Sequence, residues 1–72
     1  MTLSAQLQAA LESRVVIEQA KGIIAARGGV SMDAAFARLR AHARRHGIRL
    51  TTLAHGVIDG SAPSALTGAP PP

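Results

Sequence analysis

The sequence predicts an all-α fold: a three-helix bundle with a long first helix and a disordered, Pro/Ala-rich C-terminal tail. Three observations carry that reading. Residues 4–27 contain no proline and are dominated by Ala, Leu, Gln, Glu, Arg and Lys, which lose little on entering a helix. Glycine breaks at Gly28-Gly29 and at Gly47 are each followed by a hydroxyl residue, Ser31 and Thr51, suited to cap a new helix. From Gly60 the chain turns to Ser, Ala, Gly, Thr and Pro and ends in Pro70-Pro71-Pro72, with too little apolar surface to offset the entropy of ordering.

The first helix is expected from about Ser4 to Arg27. Gly22 lies inside it and costs roughly 1 kcal/mol against alanine. Either a neighbouring helix packs closely there or a ligand approaches the backbone; the sequence leaves both open. Gly28-Gly29 supplies the backbone freedom that ends the helix. Ser31 then caps helix two, expected from Met32 to about His46. Asp33 suits the positive end of its dipole, and Arg44, Arg45 and His46 the negative end. Gly47 fits the left-handed position that follows. Helix three is expected to open on Thr51 as N-cap and to run to about Asp59. Residues 1–59 are thus the folded unit and residues 60–72 the tail.

At about 100° per residue, helix two gathers Met32, Phe36, Leu39 and Ala43 on one face, bordered by Arg40 with Arg44 beyond it. Helix three gathers Leu53, Ala54, Val57 and Ile58. Helix one carries two stripes. Val16, Ile17, Ala20, Ile23 and Ile24 form a broad one in its second half, which the shorter helices can cover. Leu3, Leu7 and Leu11 lie rotated by roughly a quarter-turn or more. Nothing in the chain remains to cover these leucines, so they are the expected interface of a homodimer, paired as a short coiled coil.

Composition narrows the function. The 72 residues include no Cys, Trp or Tyr and a single Phe, so the core is aliphatic and thin. A core of this size rarely supplies more than ~3–5 kcal/mol, a further reason to expect a partner chain. Without cysteine there is no disulfide, Cys-ligated zinc or thiol nucleophile. The four acids are scattered, Ser13 falls on the core stripe and Ser31 is a cap, so no catalytic arrangement is expected. His42 and His46 have the spacing of a metal pair but lack the H-E-x-x-H arrangement. With His55 they are read as surface residues, and no metal or cofactor is expected. No apolar run approaches ~18 residues and the N-terminus lacks the basic flank of a signal peptide, so no membrane association and a cytoplasmic location are expected.

Charge points to a partner. Seven Arg and Lys21 face Glu12, Glu18, Asp33 and Asp59 for a formal +4, which suits a polyanion, nucleic acid foremost. The lack of aromatic residues argues against the base-stacking platforms of single-strand binders.

Three blocks of sequence carry a resemblance. Arg14-Val15-Val16-Ile17-Glu18-Gln19-Ala20-Lys21-Gly22-Ile23-Ile24 resembles the R-x-x-I-x-x-A-K-G signature of ANTAR domains, the RNA-binding modules of bacterial transcription antiterminators. Ala35-Phe36-Ala37-Arg38-Leu39-Arg40 followed by Ala43 is similar to that family's A-[YF]-x-x-L-R-x-x-[AS]. Arg49-Leu50-Thr51-Thr52-Leu53-Ala54, then Val57-Ile58, resembles its K-L-x-x-[VL]-A ending. The likeness spans about Leu11 to Asp59, with the blocks in the family's order and spacing. Three features depart from it. The Asn usual before the Lys-Leu pair is Gly47 here, and Arg49 stands where Lys is common. Such domains usually follow a receiver or GAF sensor domain, whereas Met1 lies almost directly on helix one; the input signal is expected to be missing or to lie in a separate sensor protein.

The resemblance implies a dimer that holds two stem-loops with six-base loops in a nascent mRNA leader. The second stem-loop overlaps an intrinsic terminator, which is thereby kept from forming. Arg14 and Lys21, seven apart, share a helix face, Gly22 leaves the backbone beside them open, and Arg40 borders the core face of helix two. RNA loops expose bases and phosphates suited to planar guanidinium groups. The candidate RNA-binding residues are therefore Arg14, Lys21, Gly22 and Arg40, with Arg44 and Arg49 on phosphates. A plainer reading competes: Arg14–Glu18 and Glu18–Lys21 have the spacing of ordinary solvated helix pairs, and Arg27, Arg38 and Arg45 read as solubilising charge. Two other functions remain open. One is a protein-interaction module that docks its leucines on a sensor protein. The other is a helix-turn-helix DNA binder, disfavoured because helix three offers bases no Arg, Asn or Gln.

Overall fold

The computed structural model describes residues 2–67, with side chains described for 12–63, 65 and 66. Four helices follow one another: α1 (Thr2–Gly28), α2 (Met32–His46), α3 (Leu50–Asp59) and a short α4 (Ser64–Thr67). No strand occurs among the described residues. The three main helices match the expected ones in number and order, and α1 and α2 match them in extent to within two residues at each end. Leu3, Leu7 and Leu11 fall within α1, but their side chains lie outside the described residues.

The turns form for local reasons. Gly29 adopts φ +64°, and the Val30 N–H donates to the Ala25 carbonyl at 3.1 Å, closing α1 in a Schellman turn. The Ser31 hydroxyl accepts from the Ala34 N–H at 3.0 Å and so caps α2. At the other end Gly47 adopts φ +63°, its N–H donates to the Arg44 carbonyl, and the Ile48 N–H donates to the Ala43 carbonyl at 3.0 Å. That is the same closing motif. Helix α3 departs from expectation at its start. Its N-cap is Arg49, not Thr51, and Arg49 makes no side-chain cap bond. Leu50 packs against the core, so its burial draws the first turn on before the hydroxyl residue is reached.

Helix α1 packs against both α2 and α3. The core comprises Ala20, Ile24, Ala35, Leu39, Ala43, Leu53, Ala54, Val57 and Leu66, with Val16, Ile17 and Ile23 packed at its edge. Four of these nine core residues are alanines, whose short side chains permit close approach of the helix axes. Among the described residues only Ile24 and Leu39 bury a large side chain completely. Two expected core residues are instead exposed, Met32 at 41 % and Ile58 at 40 %. Met32 is the first residue of α2, and Ile58 sits roughly 100° round from Val57 and 140° from Leu53. Ala35, outside the expected face, is fully buried in exchange.

The folded chain also continues past Asp59, where the sequence reading places a disordered tail. Gly60 turns the chain at φ +86°, the Asp59 carboxylate accepts the Ser61 N–H at 2.8 Å, and the Ala62 N–H reaches the Gly56 carbonyl at 3.0 Å. A Cβ at Gly56 would stand 3.3 Å from the Ser61 hydroxyl, so glycine there admits the returning strand of chain. Leu66 then buries all but 5 % of itself, with α4 seated on α1 and α2. It is the only large aliphatic residue after Ile58, and burying a leucine contributes roughly 1.5–3 kcal/mol. That offsets the ordering of about one or two residues, and the hydrogen bonds of Ser61 and Ala62 add to it. Residues 68–72 of the expected tail lie outside the described residues.

Candidate nucleic-acid interface

The three-residue connection between α1 and α2 folds α2 back along α1, which sets Phe36 beside the Lys21 turn. The Phe36 ring is half-buried. The Lys21 ammonium lies 4.9 Å from its centroid, and the Arg40 guanidinium carbon lies 5.2 Å from the same centroid. Two of the candidate cations, from separate sequence blocks and separate helices, therefore meet on one aromatic ring. Each contact is worth about 0.5–1 kcal/mol where solvent reaches it.

Lys21 is further held by Glu18, whose carboxylate accepts its ammonium at 3.0 Å. The Lys21 side chain is only 16 % exposed while that of Glu18 is 53 % exposed, so the pair sits at the water boundary and stabilises the fold by less than about 1 kcal/mol. The plainer reading of Glu18–Lys21 as a helix pair is thus realised in the structure. The contact with Phe36 adds what a solvated pair lacks, a fixed direction for the ammonium.

The other candidates are placed as follows. Arg14 is exposed on α1, two turns before Lys21 and about 10 Å from it along the axis. Gly22 has open space beside it, since a Cβ built there meets nothing within 4 Å. Among the described residues of the chain, then, no neighbouring helix packs closely on Gly22, which was one of its two sequence readings. Arg44 is exposed one turn beyond Arg40 on the same edge of α2. Arg49 is exposed at the N-cap of α3, where the helix dipole disfavours a cation. The structure thus brings Lys21 and Arg40 together and sets Arg14, Gly22 and Arg44 on the flanks of that pair. Arg49 stands apart at the start of the third helix.

Sequence reasoning assigned Phe36 to the core and missed its part in the cluster. The i,i+4 spacing of Phe36 and Arg40 was a legible signal for half of it. The Lys21 contact depends on how α1 and α2 pack, which spacing along one helix does not contain.

On the other side of α2, His42 is half-buried with its ring centroid 4.2 Å from that of His46, tilted by 37°. Burial first, then the charges of His46 and Arg45, lower its pKa below the ordinary 6.5. The unfolded chain therefore takes up a proton at His42 at higher pH than the folded chain does. Stability is complete above about pH 6.5 and is lost as pH falls through that value toward the lower folded pKa. Thermal melts between about pH 7 and pH 5 should show a falling midpoint, and the fall should be smaller in His42→Gln.

Among the described residues no three His, Cys, Asp or Glu side chains converge as a metal site, and no helix is long and apolar enough to cross a membrane.

In comparisons with known proteins, the profile of one family, the ANTAR domain, matches residues 5–58. No curated protein and no solved structure matches the chain significantly.

Proposed function

The chain belongs to the ANTAR domain family, whose members are RNA-binding regulators of transcription antitermination and not enzymes, and on that footing we propose that it binds paired stem-loops with six-base loops in nascent mRNA leaders. Acting in the cytoplasm as a homodimer, it holds both loops and keeps the overlapping terminator hairpin from forming. The observation that carries this reading is the convergence of Lys21 and Arg40 on Phe36. In that arrangement a half-buried lysine and an exposed guanidinium face the same approaching loop, and Arg14, Arg44 and Arg49 take phosphates around it.

Leu3, Leu7 and Leu11 join the two copies in this proposal. Val15, 54 % exposed and four residues beyond Leu11, supports it by carrying the apolar seam on toward the RNA-binding edge. Sedimentation equilibrium is expected to give about twice the 7.4 kDa of one chain; a single-chain mass at micromolar concentration would contradict the dimer.

The function is tested by a gel shift on an RNA carrying two six-base-loop hairpins, against the same RNA with scrambled loops. Retardation of the first alone supports the proposal, and equal retardation of both contradicts it.

Gly22 supplies a second check. Because the fold leaves room for a methyl group there, Gly22→Ala removes only the conformational penalty of glycine, about 0.5–1 kcal/mol. The variant is expected to melt several degrees higher, at about 4–8 °C per kcal/mol for a domain this small, yet to bind the hairpins more weakly. Improved stability with undiminished binding would show that RNA does not approach this turn.

A further inference from the structure

Helix α2 has a second cationic edge, which the loop site does not use. Arg38, His42 and Arg45 lie within about 60° of one another around its axis, on the opposite flank from Arg40 and Arg44. They line a groove closed on its other side by Ala65 and Leu66 of α4, with Ala41 at its margin. Among the described residues no carboxylate lies within 4 Å of Arg38 or Arg45, and the charges that reach His42 are those of His46 and Arg45. The lowered pKa of His42 leaves it mainly neutral near pH 7, so the charge on this edge is that of the two arginines. Solubility alone is met as well by mixed signs, so an edge of one sign fits an anionic occupant.

We propose that this groove seats the phosphodiester backbone of the double-stranded stem beneath the RNA loop. The inference rests on the RNA-binding reading above and adds a second contact region to it. Arg38 and Arg45 are seven residues apart, about 10 Å along α2. Duplex DNA carries one phosphate per about 3.4 Å of axis on each strand, and on that order of spacing the pair reaches more than one phosphate of an RNA strand. Between the two edges α2 presents Ala37 and Ala41, both exposed. A stem whose loop rests on Arg40 can therefore lie across α2 without meeting a long side chain. Duplex RNA is recognised through its backbone and shape rather than base edges, which is what two guanidinium groups on a rigid helix can supply. The fold-back of Leu66 has a role here, because α4 forms the far wall of the groove.

The test uses the full chain carrying Arg38→Gln and Arg45→Gln together, with two hairpins that share one six-base loop. One hairpin has a long stem and the other has only enough base pairs to close the loop. The double variant is expected to bind the long-stem hairpin about tenfold more weakly, with its log–log salt slope reduced by about 2, and to bind the short-stem hairpin like the parent. Parental affinity and slope on the long stem, or equal loss on both hairpins, would overturn the proposal. Lys21→Ala separates the two readings. It should weaken both hairpins alike, and if it weakens neither while the arginine pair acts, the loop site fails and the stem site stands. Both substituted arginines are exposed, and circular dichroism checks that the variant remains folded.

Discussion

Lys21→Ala and Arg40→Ala should each weaken binding of a six-base-loop hairpin by tenfold or more and leave the helical content of the protein unchanged. The two halves of that expectation have separate causes. In the fold, Lys21 contributes one ion pair with an exposed partner and one contact over Phe36, together about 1 kcal/mol. Arg40 contributes only its contact with the same ring among the described interactions. Against RNA, a hydrogen bond to a charged group contributes about 1.5–3 kcal/mol, enough for a tenfold effect from a single lost contact. Arg40→Lys should fall between parent and alanine variant, since it keeps the charge and loses the planar fork. Gel shifts and thermal melts on the same preparations check both halves. Parental binding by both alanine variants would refute the site.

Leu39→Ala is expected to unfold the domain. Among the described residues Leu39 is one of two large side chains buried completely, the other being Ile24. Removing a buried leucine costs about 2–5 kcal/mol, and a domain of this length has about 3–5 kcal/mol to lose. The alanines around it, Ala20, Ala35, Ala43 and Ala54, have no longer side chain with which to fill the space. Circular dichroism at 25 °C should show most of the helicity gone, or a melt without cooperativity. A cooperative melt near the parental midpoint would mean that the core is held by something beyond these residues. Association through α1 is the first candidate, and it would show as a concentration-dependent midpoint.

Which features were legible in the sequence follows from how local their causes are. Ser31, Gly29 and Gly47 fix their turns through bonds to residues three to five away, so the extents of α1 and α2 could be read directly. The buried stripe of α1 could be read as well, because 3.6-residue periodicity is a property of one helix. The start of α3 could not, since Leu50 responds to the core and not to its neighbours in sequence. The return of Leu66 to the bundle was missed for a similar reason. Its segment is polar and proline-rich on average, and composition does not reveal that a single leucine has a place to go. At the site, Lys21, Gly22 and Arg40 are reached from sequence blocks, but what unites Lys21 with Arg40 is Phe36. Its double contact exists only once α1 and α2 are packed. Arg38 and Arg45 read as solubilising charge from sequence, where the wall opposite them, α4, is not visible.

In the proposed function RNA arrives at the Lys21–Phe36–Arg40 cluster. Phe36 is the only phenylalanine in a chain without Trp or Tyr, so its ring resonances are uniquely assignable. Titrating an unlabelled six-base-loop hairpin into carbon-labelled protein should shift or broaden the Phe36 ring signals in step with binding, and a scrambled loop should leave them in place. Saturating hairpin that moves other resonances but not those of Phe36 would place the RNA elsewhere on the molecule and contradict the account.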